Sequence, residues 1–236
     1  MKLHLEPRSG ISGDMFAASL IAVGGSVGFM KSQLDALSVL NQVEVRIARI
    51  EKAGLPAVKF DVYWNLDSVE ERHYSDIEYL LKEASLDAEV KTLARTVFYR
   101  LAEAESVAHQ CSIDDVHFHE VGALDSITDI VGCSALLVSL GVESVSSSVP
   151  VEGVGAVKFS HGVTDLPVPA TRYLMQNMPI RRCNVNSELI TPTGAAFLRV
   201  LVSQWLELPD FLPKLNGAGA GTKDFFHPNL LKVYLG

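Results

Sequence analysis

The chain has 236 residues, 48% hydrophobic and 20% charged. This is the usage of a folded protein of one large or two small domains, and it excludes a disordered chain. Twenty basic residues stand against 28 acidic ones, a formal charge of -8, which repels nucleic-acid phosphates and argues against a DNA or RNA partner. Apolar runs stop well before about 18 residues, so no membrane span is expected, and the first residues lack the basic start and apolar core of a secretory signal. Three widely spaced cysteines, Cys111, Cys133 and Cys183, fit reduced thiols in a cytoplasmic protein better than a disulfide framework.

In chain order, residues 2–6 alternate weakly and predict a short strand. A turn-rich stretch, Ser9-Gly10-Ile11-Ser12-Gly13-Asp14, leads into an apolar helix over 15–23 that ends at Gly24-Gly25. A second helix fits 29–37. Period-two alternation then predicts a hairpin from 43–50 and 57–63, turning at Gly54-Leu55-Pro56. Ser75 and Glu78 predict a capping box for a helix to about Glu83. Ser85-Leu86-Asp87 opens a longer helix through Ala108, and 127–140 forms another that stops at Gly141. Strand-prone runs follow at 144–149 and 155–159, then a helix over 169–175. Thr191-Pro192 predicts an N-cap and first helical position for a helix to about Trp205, and 230–235 reads as a terminal strand. The fold class is mixed α/β (α+β), with short strands and several packed helices. The chain reads as one module, 1–236, with 1–149 and 150–236 as its candidate subdivision, because Gly and Pro thicken after Val149.

The densest polar cluster is Asp114-Asp115-Val116-His117-Phe118-His119-Glu120, followed by Asp125 and Asp129. In an extended segment His117 and His119 share a side and could clamp a divalent metal, with Glu120 or Asp125 as further donors. On a helix, Asp125 and Asp129 stand at i and i+4 on one face. The alternative is a set of surface hydrogen-bonders and a helix-start charge. The glycine turn at Ser9, Gly10 and Gly13 could hold a phosphate against the following helix start, although it fits no standard phosphate-loop pattern. Asp14 reads as a metal ligand or a helix-start charge. Gly217-Ala218-Gly219-Ala220-Gly221-Thr222-Lys223-Asp224 is either a close-approach backbone with Lys223 near a phosphate or a mobile connection to the last strand. His73 beside Asp76 defaults to a surface role. No serine or cysteine nucleophile arrangement stands out.

Five blocks occur in order: SGISGDM from Ser9, VHFHEVGALDSITD from Val116, His161-Gly162 with LPVPAT from Leu166, ELITPTGA from Glu188, and GAGAGTKD from Gly217. Together they resemble the LarC family of nickel-insertion proteins, over Leu3 to Gly236. The resemblance implies nickel insertion into pyridinium-3,5-bisthiocarboxylic acid mononucleotide, a nucleotide-type small-molecule substrate, by a cyclometallase-type lyase or half of one. One nickel–carbon and two nickel–sulfur bonds form, the ring proton is lost, and CTP is required. Carried onto this sequence, His117, His119 and Glu120 become the metal candidates. Asp14, Asp125 and Asp129 become the proton-removal candidates, and Ser9, Gly10 and Gly13 the substrate-phosphate candidates. Family members often carry a histidine-rich stretch where this chain has Asn65 to His73 with a single histidine, and Glu6 stands at the usual aspartate. They also continue into a C-terminal domain associated with CTP, so the expectation is either a separate polypeptide that supplies it here or a divergent short paralogue that has lost the activity. A non-catalytic metal-binding or partner-binding module that kept the fold, and a metal-dependent hydrolase, are the alternatives. A homo-oligomer stays open.

Overall fold

The computed structural model describes residues 1–41, 43–64, 72–118, 124–159 and 162–236. Strand β1 (Lys2–Glu6) leads through the glycine turn to helix α1 (Gly13–Ala22) and then α2 (Val27–Asp35). The hairpin β2 (Val43–Lys52) and β3 (Leu55–Trp64) pairs in register from Val43↔Trp64 to Lys52↔Leu55. Its turn is Ala53-Gly54, one residue earlier than expected. Both have positive φ, 52° and 77°, the geometry that suits a two-residue hairpin turn, so Pro56 falls on the strand.

Strand β4 (Arg72–His73) precedes α3 (Tyr74–Glu83). The cap lies two residues before the expected one: the Asp76 carboxylate accepts the His73 N–H at 2.9 Å. Helix α4 (Ala88–His109) opens as expected on Asp87, whose carboxylate accepts the Glu89 and Val90 N–H groups at 2.9 and 3.3 Å. Then come β5 (His117–Phe118), α5 (Leu124–Ser139), β6 (Ser144–Ser147), β7 (Val151–Glu152), β8 (Ala156–Phe159), β9 (Gly162–Asp165) and α6 (Pro169–Leu174). Strand β10 (Arg181–Arg182) precedes α7 (Pro192–Leu201), which ends earlier than the pattern predicts. Residues 202–205 form strand β11 (Val202–Trp205), captured by parallel pairing with β6. Strands β12 (Leu215–Ala220) and β13 (Leu230–Leu235) close the chain.

The seven-stranded mixed sheet runs β11-β6-β1-β13-β12-β3-β2. Strands from before and after residue 150 interleave in it, β13 and β12 lying between β1 and β3. The 217–220 part of the glycine run is therefore an inner strand and not a mobile connection. Its glycines let α1 lie almost on the backbone: a Cβ on Gly219 would fall 2.0 Å from the Met15 carbonyl oxygen, and one on Gly217 would fall 2.6 Å from the Ala22 Cβ. That contact sinks Phe16, Ala17, Ala18 and Leu20 to full burial. Phe16 meets Phe197 of α7 edge-on, 5.1 Å between centroids, and burying each ring stabilises by roughly 1.5–3 kcal/mol. The strand layer thus anchors α1, and α1 in turn holds the starts of α5 and α7 around one opening. Among the described residues no helix is long and apolar enough to cross a membrane.

Candidate functional site

That opening is a cavity of about 720 Å³. The first turns of four helices face it: Ser12, Gly13 and Asp14 at α1, Asp125 and Ser126 at α5, Val168 to Ala170 at α6, and Thr191 to Thr193 at α7. Phe60, Asp61, Val62 and Trp64 of β3 form one wall, and Leu101, Glu105, Ala108 and His109 of α4 another. His117, Phe118, Val163, Thr164, Glu188 and Thr222 complete the lining. A hollow of about 470 Å³ along Ala88, Glu89, Thr92, Leu93, Thr96 and Val200 offers one carboxylate and little chemistry.

The helix starts meet because two chain segments pair. The Ile11 N–H donates to the Leu189 carbonyl at 3.0 Å, and the Thr191 N–H to the Ile11 carbonyl at 3.1 Å. Gly10 (φ 81°) and Gly194 permit this approach, since a Cβ on either would lie 2.0 or 2.1 Å from a backbone oxygen. Glu152, fully buried, braces the second segment: its Oε1 accepts the Gly153 and Leu189 N–H groups at 2.7 and 2.9 Å. Burial raises the Glu152 carboxyl above the usual range, against those N–H donors.

Asp14 and Asp129 meet at the start of α1. Gly13 is packed so closely on the Asp129 carboxyl that a Cβ would lie 2.3 Å from Oδ2. The Asp14 backbone N–H is hydrogen-bonded to Asp129. Asp129 is part-exposed along the cavity wall, yet its Oδ1 is sealed and has no partner among the described residues. The sealed carboxyl decides its titration. Burial first, then the Asp14 and Asp125 charges, hold it well above the ordinary carboxylate range, and Lys59 and the Asp14 N–H do not offset them. One turn further, the Cys133 thiol donates to the Gly13 carbonyl at 3.5 Å. Burial pushes that thiol up, so it is an inert core group behind the site.

Asp125 faces the cavity from the first turn of α5, its Oδ1 accepting the Ser126 N–H at 2.8 Å. His117 reaches the cavity from β5, and its ring lies 3.8 Å, centroid to centroid, from His73 across the β4–β5 pairing. His119 and Glu120 lie outside the described residues, as does His161. Among the described residues no three His, Cys, Asp or Glu side chains gather as a metal cluster. Ser9 sits beside the cavity's entrance turn, donating to the Pro228 carbonyl at 2.6 Å with His227 Nδ1 3.1 Å away. Ser9 and Gly10 do not line the cavity, whereas Gly13 does.

Several residues in or behind the cavity are not singled out by type and spacing. Glu105 and His109, 3.5 Å apart at i,i+4, sit within the long amphipathic helix α4. Glu188 arrives with the ELITPTGA block. Lys59 comes from mid-strand β3: its ammonium contacts Asp14 Oδ2 at 3.1 Å, Asp61 Oδ1 at 3.0 Å and Thr222 Oγ1 at 2.9 Å. Burial works against that charge, and the two aspartates more than offset it. The His73–His117 pair needs a strand pairing that no local pattern announces.

The family model described as nickel insertion protein matches residues 3–236. A pyridinium-3,5-bisthiocarboxylic acid mononucleotide nickel insertion protein of Staphylococcus saprophyticus is 37% identical over 231 residues, 98% of this chain and 59% of its own length. The protein of the same name in Staphylococcus epidermidis is 36% identical over 231 residues, 98% of this chain and 58% of its own. A relative in Dictyoglomus thermophilum is 38% identical over 234 residues, 99% of this chain and 60% of its own. The chain therefore spans about 60% of the length of these curated relatives. No solved structure matches it.

Proposed function

The chain belongs to the nickel insertion protein family, and we propose that its cavity handles nickel and the pyridinium-3,5-bisthiocarboxylic acid mononucleotide named for its relatives. One observation carries this reading: all five blocks that resemble the family send described residues to the cavity or its wall. Gly13 and Asp14, His117 with Asp125 and Asp129, Val168 to Ala170, Glu188 with Thr191 to Thr193, and Thr222 all line it.

Nickel enters as a substrate. His117, with His119 and Glu120 beside it in sequence, would receive it, because imidazole and carboxylate donors suit this ion and still release it. The aromatic and aliphatic wall of Phe60, Val62, Trp64 and Phe118 would hold the pyridinium ring. The first turns of α1 and α7, with the hydroxyls of Ser12, Thr191 and Thr193, would hold the phosphate. As the carbon–nickel bond forms from the ring C–H electron pair, the proton passes to a carboxylate. Asp129 suits this role: burial and the neighbouring carboxylates raise its proton affinity, which favours taking up the ring proton. Asp125 and Asp14 flank it.

CTP, in this reading, belongs to the part of the relatives' length that this chain does not span. The test supplies the chain with mononucleotide, nickel and CTP, with and without the remaining part of a relative, and follows product by mass. A folded chain that yields no nickelated product in either mixture refutes the reading. So does a His117→Ala/Asp129→Asn variant as active as wild type.

A further inference from the structure

Lys59 is the feature that the reaction scheme above leaves unused. Period two along β3 puts Lys59 and Asp61 on one face. The Lys59 side chain is 13% exposed, and its ammonium is shared among Asp14, Asp61 and Thr222. These partners belong to three segments far apart in sequence: the first turn of α1, β3 itself, and the stretch just after β12. All three residues line the cavity, and Lys59 stands behind them.

Both oxygens of Asp14 are thereby committed. Oδ1 accepts the Ser12 hydroxyl, and Oδ2 accepts the Lys59 ammonium. Asp14 also donates its N–H to Asp129. A connected path runs from Lys59 through Asp14 to the sealed carboxyl of Asp129. An ammonium this buried is costly to keep unless its partners are fixed, and here they are the walls of the site.

We propose that Lys59 is the positioning residue of this cavity, clamping Asp14, and through the first turn of α1 Asp129, at the place where the substrate's proton is taken. This rests on the nickel-insertion reading, and it assigns Lys59 no contact with substrate. Without the ammonium, Asp14 and Asp61 face each other unshielded and the turn relaxes. A misplacement of about 1 Å at a reacting group costs on the order of 100-fold in rate.

The test compares Lys59→Met and Lys59→Arg with wild type. In Lys59→Met, kcat is expected to fall roughly 10–100-fold while KM for the mononucleotide stays within about threefold, and Arg is expected to recover a substantial part. Thermal unfolding checks that each variant folds, and Lys59→Arg remains informative where Lys59→Met does not fold. Wild-type kcat in folded Lys59→Met, or a loss confined to KM, overturns the proposal. An independent arm maps lysine acetylation by mass spectrometry. Lys59 is expected to react on the order of tenfold more slowly than exposed Lys31, and several-fold faster in Asp14→Asn than in wild type. A wild-type chain that makes no product refutes the function and leaves the clamp to this arm. Lys59 reacting as fast as Lys31, or unchanged in Asp14→Asn, overturns the clamp itself.

Discussion

Replacing Asp129 with Asn isolates the electrostatic core of the site. In the folded chain burial and the Asp14 and Asp125 charges raise this carboxyl well above the usual range, while in the unfolded chain it titrates near pH ~3.9. The folded state therefore binds the extra proton. Stability from this group is fully present below the unfolded pKa and falls as pH rises toward the folded value. Each pH unit in that window costs wild type about 1.4 kcal/mol relative to a variant without the titration. Asn keeps an oxygen for the Asp14 N–H and the same volume beside Gly13, so the two proteins are expected to lie within about 1 kcal/mol of each other near pH 4. Above that, Asp129→Asn should gain steadily on wild type. With a urea m-value of ~2–3 kcal/mol/M, the midpoints separate by roughly 0.5–0.7 M per pH unit. Urea titrations from pH 4 to pH 8 measure this directly. Parallel midpoint curves would refute the reasoning, because they would mean that Asp129 enters the folded state ionised. Under the proposed function the same variant should lose nickel insertion, so stability gained and activity lost would come from one substitution.

Other substitutions test the scaffold and the metal face. Gly219→Ala drives a Cβ to 2.0 Å from the Met15 carbonyl, a backbone clash that no rotamer relieves. It is expected to cost about 3 kcal/mol in chemical denaturation, and a change below about 0.5 kcal/mol would show that α1 does not rest on β12. Glu152→Ala strips the acceptor from two N–H groups, Gly153 and Leu189, at roughly 1–3 kcal/mol each. Glu152→Gln keeps that oxygen and should stay close to wild type, and equal losses in both would sink the bracing role. For His117→Ala, calorimetric titration with nickel should show at least tenfold weaker binding; unchanged affinity removes His117 from the metal's path.

Much of the fold was legible locally, and the errors have a shared cause. Asp87, Gly141 and Thr191 marked helix ends correctly because capping is decided within a few residues. Residues 202–205 misled because Val-Ser-Gln-Trp suits a helix end or a strand equally well, and only β6 lying alongside settles it. The glycine run 217–221 reads by composition as either a close-approach backbone or a mobile connection, and only the packing of α1 against Gly217 and Gly219 decides for the first. The site divides in the same way. Asp14, Asp125, Asp129 and His117 announced themselves by type and spacing, and the structure brings them to one cavity. Lys59, His73 and Glu105 did not, because a lysine in a strand or a glutamate on a helix acquires a role only from what packs against it.

The arrangement also gives the net charge of -8 a local meaning. Among the described residues the cavity lining carries Asp14, Asp61, Glu105, Asp125, Asp129 and Glu188 and no lysine or arginine, with Lys59 behind Asp14 and Asp61. The mononucleotide proposed as substrate, with its phosphate and thiocarboxylate groups, would meet like charge there, whereas a divalent cation would meet attraction. Helix first turns offset part of the repulsion, but only within about a turn of their ends. Metal and nucleotide should therefore help each other bind, each supplying the charge that the other lacks. By linkage the effect is reciprocal: the factor by which nickel tightens the mononucleotide must equal the factor by which the mononucleotide tightens nickel. Calorimetry in both orders of addition measures the two factors separately. Mononucleotide binding that is indifferent to nickel would show that the acidic wall does not face the substrate's anionic groups.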